Sequence, residues 1–182
     1  MLNTPVVQRR NSSCQKMLLT RIIGLFLLHL PGLLLAQMPR DPESTKYTYQ
    51  EVIEVSNISK DDLYTRARAW FVKGYKSANA VLQMDDRESG TIIGKGYFEV
   101  KFQLGWRKVY HLVQIEVKDG RYRYTITDFY LKFSDIYNEK AFEKLTNKDF
   151  WGIAKLFEAT DQETKSIINS LKNHMQKEAK DW

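Results

Sequence analysis

Apolar and polar residues alternate over several stretches of the chain, and this period of two predicts β-strands. A first strand is predicted over 47–55, where β-branched and aromatic residues are frequent. Four further strands are predicted over 80–86, 91–102, 108–118 and 121–132. Within 91–102, Gly94 and Gly96 predict a bulge or a bend.

Two segments change to helical spacing. The first helix is predicted from about 60 to 75, behind a capping arrangement of Ser59 and Asp62. A last helix is predicted from about 162 to 180, with Thr160 or Asp161 as its cap. Residues 138–159 contain helical fragments broken by Asn147 and Gly152, so short helices and loop are expected there.

Asp119-Gly120 is a strong two-residue hairpin signal, and it fixes the register of the last two predicted strands. Lys118 then faces Arg121, and the following pairs alternate, so that all pairs on one face are apolar and all pairs on the other are polar. The order of elements is strand, helix, four strands, helix. It predicts the α+β class, with a five-stranded, mostly antiparallel sheet and both helices packed on its apolar face.

Residues 1–36 differ from the rest of the chain and predict a signal peptide. A basic start is followed by the apolar run 22–35 and by Ala36, so cleavage is expected between Ala36 and Gln37. Met1 and Met17 both remain open as the true start. The run has 14 residues, whereas a membrane-spanning helix needs about 20. We therefore expect no stable membrane span after signal cleavage, and a periplasmic, cell-surface or secreted location.

Removing the leader changes both the charge and the cysteine count. Without its four cations, the 28 basic side chains fall to 24 against 22 acidic ones, a net charge of +2. This balance does not indicate a nucleic-acid partner. The single cysteine, Cys14, lies in the leader, so the rest has no thiol for disulfides, zinc or nucleophilic catalysis. A linker is expected over 37–46 and one domain over 47–182, without a metal or another cofactor.

Four motifs carry a resemblance to a known family: 58–64 (ISKDDLY), Trp70-Phe71, 92–96 (IIGKG) and 115–124 (IEVKDGRYRY). The chain resembles, over about 47–131, the exported Bacteroidetes family of domain of unknown function 4468. That resemblance implies a TBP-like fold, named for the TATA-box-binding protein, with the order β-α-β4-α. It implies no functional residue, because its motifs are a cap, a turn and strand glycines.

The predicted hairpin register places His111 opposite Asp128 on the inward side. A carboxylate that orients an imidazole is half of a general-base arrangement, which makes a hydrolase-type enzyme one hypothesis. Two polar side chains that simply satisfy each other are the other interpretation. The turn at Asp85, Asp86 and Glu88 matches no calcium loop and is interpreted as solvated.

The polar face of the sheet is the remaining candidate site. Its predicted binding residues are Lys95, Tyr97, Glu99, Lys101, Gln114, Glu116, Arg123 and Thr125. The leading hypothesis is a non-catalytic envelope module that binds an envelope protein, a peptide or a glycan through this face or through the aromatic segment 138–157. A purely structural envelope protein is the third hypothesis.

Overall fold

The computed structural model describes residues 38–73, 81–133 and 138–176. The predicted signal peptide and its cleavage point at Ala36 and Gln37 lie outside the described residues. The last residues of both predicted helices and residue 80 of the second strand also lie outside them.

The elements follow the predicted order, with one short strand added. They are β1 (Tyr49–Glu54), α1 (Lys60–Lys73), β2 (Val81–Asp86), β3 (Thr91–Phe102), β4 (Gly105–Lys118), β5 (Arg121–Lys132), β6 (Glu139–Ala141), a 3-10 turn (Phe142–Lys144) and α2 (Ile153–Gln176). The strands form one sheet in the order β1-β5-β4-β3-β2, and β6 pairs with β5 beyond the end of β1. Every pairing is antiparallel.

The β4–β5 hairpin has the predicted register from Lys118↔Arg121 to Leu112↔Thr127. Its turn also holds the start of α1, because the Asp119 carboxylate accepts a hydrogen bond of 2.7 Å from the Lys60 backbone N–H. Gly120, at φ +71°, donates its N–H to the Ile58 carbonyl at 2.9 Å. The turn therefore fixes both the register of the sheet and the place where the helix begins.

The predicted cap of α1 is confirmed, since Ser59 Oγ accepts the Asp62 N–H at 3.1 Å and donates to the Asp62 carboxylate at 2.8 Å. The predicted bulge at Gly94 and Gly96 is wrong. The pairing of β3 with β4 runs without a shift from Thr91 to Phe102, and the irregularity lies in β2 between Leu82 and Met84.

Gly94 is instead required by the packing of α1 on the sheet. A Cβ atom at this position would lie 2.7 Å from Cε1 of Phe71. The helices also bond to each other, because Trp70 donates to Ser170 Oγ at 3.3 Å and Arg66 donates to the Met175 carbonyl at 2.8 Å. Both helices thus pack on the same face of the sheet, as predicted.

The predicted start of the last helix is wrong. Helix α2 begins at Ile153, directly after Gly152 at φ +70°, so Thr160 and Asp161 lie inside the helix and are buried. Thr164 Oγ1 donates to the Thr160 carbonyl at 2.7 Å, and the Asp161 carboxylate accepts from the Tyr49 hydroxyl at 2.7 Å. The Asp161 side chain bonds within the core, Thr160 accepts through its backbone carbonyl, and neither residue begins a helix.

The hydrophobic core lies between the two helices and one face of the sheet, which we call the inner face. Alternate residues of β3, β4 and β5 are buried there, and the residues between them form the outer face. In the part of the chain that the structure describes, no helix is long and apolar enough to cross a membrane.

Candidate functional site

The outer face of the sheet carries all eight side chains predicted as binding residues, and none of them is buried. Lys95, Glu99, Lys101 and Arg123 are exposed, whereas Tyr97, Gln114, Glu116 and Thr125 are half-buried. Strand pairing brings several of them together, with Glu116 beside Arg123 and Gln114 beside Thr125. Arg123 donates two hydrogen bonds, of 2.7 and 2.8 Å, to the Glu116 carboxylate.

Three half-buried tyrosines form a row across β3, β4 and β5, and we call Tyr97, Tyr110 and Tyr130 the tyrosine row. The ring centroids of Tyr97 and Tyr110 are 5.3 Å apart, and those of Tyr110 and Tyr130 are 5.0 Å apart. The last two rings are nearly parallel, with 16° between their planes. Because neighbouring rings support each other, the row is a rigid surface that needs little ordering to bind a ligand.

Two lysines lie over the tyrosine row. The Lys108 ammonium is 4.6 Å from the Tyr97 ring centroid, and the Lys132 ammonium is 4.8 Å from that of Tyr110. The Lys132 ammonium also forms an ion pair of 2.9 Å with the Glu139 carboxylate, and this hydrogen bond raises the pKa of Lys132. The row therefore presents aromatic rings and fixed positive charge together.

A shallow cavity of about 230 Å³ lies further along the same face, towards the β4–β5 turn. Its lining residues are Val52, Glu116, Lys118, Arg121, Tyr122 and Arg123. The Glu116 carboxylate already bonds to Arg123, so Lys118 and Arg121 leave the cavity with a surplus of positive charge.

Positive charge dominates the outer positions of the three central strands. Two of these positions are acidic, Glu99 and Glu116, and seven are basic. The basic side chains are Lys95, Lys101, Lys108, Lys118, Arg121, Arg123 and Lys132. Such a surface attracts anionic groups at long range, and the attraction weakens as salt increases.

The predicted pairing of His111 with Asp128 is wrong. A bulge shifts the register between Tyr110↔Tyr130 and Leu112↔Thr127, so β5 holds one extra residue opposite His111. Asp128 adopts φ +55° in this bulge and bonds to the Lys46 ammonium at 2.5 Å. Phe129 faces inward in its place, with its ring stacked on the imidazole at a centroid distance of 5.8 Å.

Aromatic side chains pack against His111. Its ring also lies 4.8 Å from that of Phe98, and the residue is 1% exposed. Burial lowers the pKa of His111 to about 4, although the Val109 carbonyl opposes this effect. The neutral imidazole is therefore a packed part of the core, and the Asp128 carboxylate, 42% exposed, does not orient it.

The acidic residues at the end of β2 accept hydrogen bonds from other groups of the protein. The Asp85 carboxylate accepts hydrogen bonds from the Tyr64 hydroxyl and, at 2.8 Å, from Arg68. These bonds lower the pKa of Asp85, that from Tyr64 most. Asp86 accepts the N–H groups of Glu88 and Ser89 within the turn. Among the residues with described positions, no cluster of three or more side chains could hold a metal ion.

The aromatic segment 138–157 is divided between the core and the surface. Phe142 is buried, and Phe150 packs edge-on against Phe102 at a centroid distance of 5.6 Å. Trp151 is 85% exposed. Most of the segment thus closes one end of the core.

Four residues at the tyrosine row were missed by the sequence reasoning: Tyr110, Tyr130, Lys108 and Lys132. Tyr110 and Lys108 have the same parity as Gln114 and Glu116, so alternation along β4 could have identified them. Tyr130 and Lys132 reach this face because the bulge at Asp128 and Phe129 changes the parity of β5. Nothing in the local sequence signals that change.

Comparison with known proteins agrees with this architecture. The fold defines a class, the α+β proteins with a TBP-like fold. Residues 49–132 match the model of the family DUF4468, described as a domain of unknown function with TBP-like fold.

Two solved structures share the fold. A TBP-like protein from Parabacteroides distasonis matches with a TM-score of 0.64 and 17% identity, over 78% of this chain and 99% of that one. A DUF4468 family protein from Bacteroides ovatus matches with a TM-score of 0.62 and 14% identity, over 78% and 91%. No curated protein matches the sequence.

Proposed function

We propose that this chain is an exported, non-catalytic binding module of the cell envelope, and that its outer face holds an acidic, extended segment of a partner protein. The observation that carries this proposal is the tyrosine row with two lysine ammonium groups over its rings. The basic start, apolar run and small residue of the first 36 residues support export.

The tyrosine row favours a protein ligand because tyrosine is enriched in protein interfaces. Its ring supplies contact area, its hydroxyl supplies hydrogen bonds, and few rotatable bonds must be ordered on binding. The three tyrosines hold each other in place through ring contacts, so they can bind a ligand with little loss of side-chain freedom.

The charge of the face favours an acidic ligand. Seven basic side chains against two acidic ones at the outer positions of β3, β4 and β5 complement a segment rich in Asp and Glu. The cavity beside Lys118 and Arg121 has room for a carboxylate side chain of that segment.

A hydrolase-type enzyme is less well supported. That hypothesis required His111 to contact Asp128, but the bulge in β5 places Phe129 against the imidazole instead. Two alternatives remain: the ligand is a glycan, or the protein has a purely structural role and binds no ligand. A binding experiment distinguishes these alternatives from a protein ligand.

The protein purified from cells that express the full sequence is labelled with ¹⁵N and titrated with a short oligo-glutamate peptide. An oligo-lysine peptide and a neutral oligosaccharide serve as comparison ligands. We expect oligo-glutamate alone to shift the amide signals around Tyr97, Tyr110 and Tyr130. We also expect its affinity to fall as salt is raised.

Two sets of variants test the proposal. Tyr97→Ser with Tyr130→Ser removes the ends of the row, and Lys95→Glu, Lys101→Glu and Arg123→Glu reverse the charge. Each set should weaken oligo-glutamate binding by more than about tenfold. The matched control reverses three exposed cations outside the central strands, Arg40→Glu, Lys144→Glu and Lys148→Glu, and should change the affinity much less.

Equal weakening by the control set would contradict a specific site. Binding of the oligosaccharide at the row in preference to oligo-glutamate would replace the proposed ligand with a glycan. No signal shift with any of the three ligands would favour the purely structural role.

A further inference from the structure

The β3–β4 hairpin ends in a cluster of exposed apolar side chains, which we call the apolar tip. Its members are Leu104, Trp106 and Trp151, exposed by 106%, 64% and 85%. Exposed side chains of this size cost solubility, so a group of three at one end of a domain indicates a contact surface.

Specific contacts bring the tip together from two parts of the chain. Gln103, at φ +55° in the hairpin turn, donates a side-chain hydrogen bond of 2.9 Å to the Trp151 carbonyl. Edge-on packing of Phe102 on Phe150 holds the same two segments from the core side. The tip is therefore a supported projection.

The three apolar side chains do not share one face of the sheet. Trp106 pairs with Lys101 on the outer face, and Leu104 lies in the turn itself. Trp151 lies on the other side, in the loop that leads into α2. A flat partner surface would cover one side of such a projection, whereas a bilayer interface can surround it.

Among the described residues around the tip, basic side chains predominate, although the exposed Glu99 lies opposite Lys108 on the outer face. Residues 100–115 and 150–157, the segments that meet there, contain four basic side chains and no acidic one. The basic side chains are Lys101, Arg107, Lys108 and Lys155. The neighbouring Asp149 carboxylate bonds to the Lys140 ammonium at 2.5 Å, and this ion pair lowers the pKa of Asp149 and offsets its negative charge.

We infer that the apolar tip docks the domain on an anionic phospholipid surface, a function separate from peptide binding on the tyrosine row. Leu104 enters the edge of the acyl region, and the two indoles lie at the level of the headgroups. Lys101, Arg107 and Lys108, behind the tip, contact lipid phosphates.

The test reads the position of the tip directly. Because Cys14 is the sole cysteine of the sequence, Cys14→Ser with Leu104→Cys creates one labelling site for an environment-sensitive fluorophore. The control variant carries Cys14→Ser with Val72→Cys, a residue of α1 that is 66% exposed. The full chain is used, with vesicles of equal parts phosphatidylcholine and phosphatidylglycerol.

We expect the fluorophore at position 104 to shift to shorter wavelength and become protected from a water-soluble quencher, while the fluorophore at position 72 stays in water. Vesicle association through the apolar run 22–35 would leave position 104 in water, and that result would overturn the inference. Equal protection at both positions would overturn it as well.

A second measurement tests the charge. Lys101→Ala with Lys108→Ala should lower the partition coefficient on these vesicles by about thirtyfold, since each basic residue near an anionic surface contributes about fivefold. Arg40→Ala with Lys144→Ala should leave it nearly unchanged. Equal binding to pure phosphatidylcholine, or a dimer in light scattering that Leu104→Ser dissociates, would contradict lipid docking.

Discussion

The His111 imidazole stacks on the Phe129 ring at a centroid distance of 5.8 Å, in the place where an unbroken hairpin would have put the Asp128 carboxylate. A single extra residue in β5 exchanges the two neighbours. The bulge uses Asp128 at φ +55°, a conformation that Asp tolerates better than most residues. The bulge thus replaces the predicted His111–Asp128 pair with a contact between His111 and Phe129, and it keeps an apolar side chain at this position of the inner face.

The burial of His111 predicts a stability that depends on pH. Its pKa is about 4 when folded and about 6.5 when unfolded, so the unfolded chain binds more protons between these values. The stabilisation by neutral His111 is therefore present above pH 6.5 and is lost as the pH falls through 4. Linkage over this interval amounts to about 3 kcal/mol of unfolding free energy.

Urea unfolding of the wild type and of His111→Phe, measured between pH 7 and pH 4, checks this prediction. The variant keeps an aromatic ring between Phe98 and Phe129 but cannot bind a proton. Its free energy of unfolding should decline less than that of the wild type. Parallel curves for the two proteins would show that His111 does not titrate on unfolding.

Local signals made much of the sheet predictable. Asp119-Gly120 fixed the hairpin register because a two-residue turn of this sequence pairs the residues on either side of it, Lys118 and Arg121. The shift at Asp128 depends on what packs against β5, so parity failed beyond Thr127. Tyr97 lies in β3, whose pairing with β4 has no shift, so alternation predicted its face correctly. Tyr130 lies beyond the shift in β5, so alternation did not predict its face.

The start of α2 at Ile153 also could not be predicted from the neighbouring residues alone. Thr160 and Asp161 have the composition of a cap, but Asp161 is bound to Tyr49, 112 positions earlier in the sequence. A hydrogen bond between residues so far apart in the sequence cannot be read from the pattern of residues around either one. The sequence of 138–159 supported helical fragments, and tertiary packing decided where the helix begins.

Close packing of α1 on the sheet predicts that Gly94→Ala destabilises the protein. The new methyl group would lie 2.7 Å from Phe71, and relieving that overlap should cost about 1–3 kcal/mol of unfolding free energy. Gly105→Ala is the matched control, because a Cβ there meets nothing within 4 Å. Chemical denaturation measures both variants, and equal effects would contradict the packing argument.

The Tyr49–Asp161 hydrogen bond predicts coupling between β1 and α2. Tyr49→Phe leaves the buried carboxylate without this donor and should lower the free energy of unfolding by about 1–2 kcal/mol. Asp161→Ala removes the acceptor, and the double variant should lose less than the sum of the two single changes. Strict additivity would show that the bond does not stabilise the fold.

Site-specific photocrosslinking in the producing cell tests the proposed binding function most directly. A photoreactive phenylalanine replaces Tyr97 in the tyrosine row, and the same residue replaces Val72 on α1 as the control. We predict a crosslinked protein at position 97, absent at position 72, whose attached peptide is rich in Asp and Glu. Identical products at both positions, or none at position 97, would contradict the account.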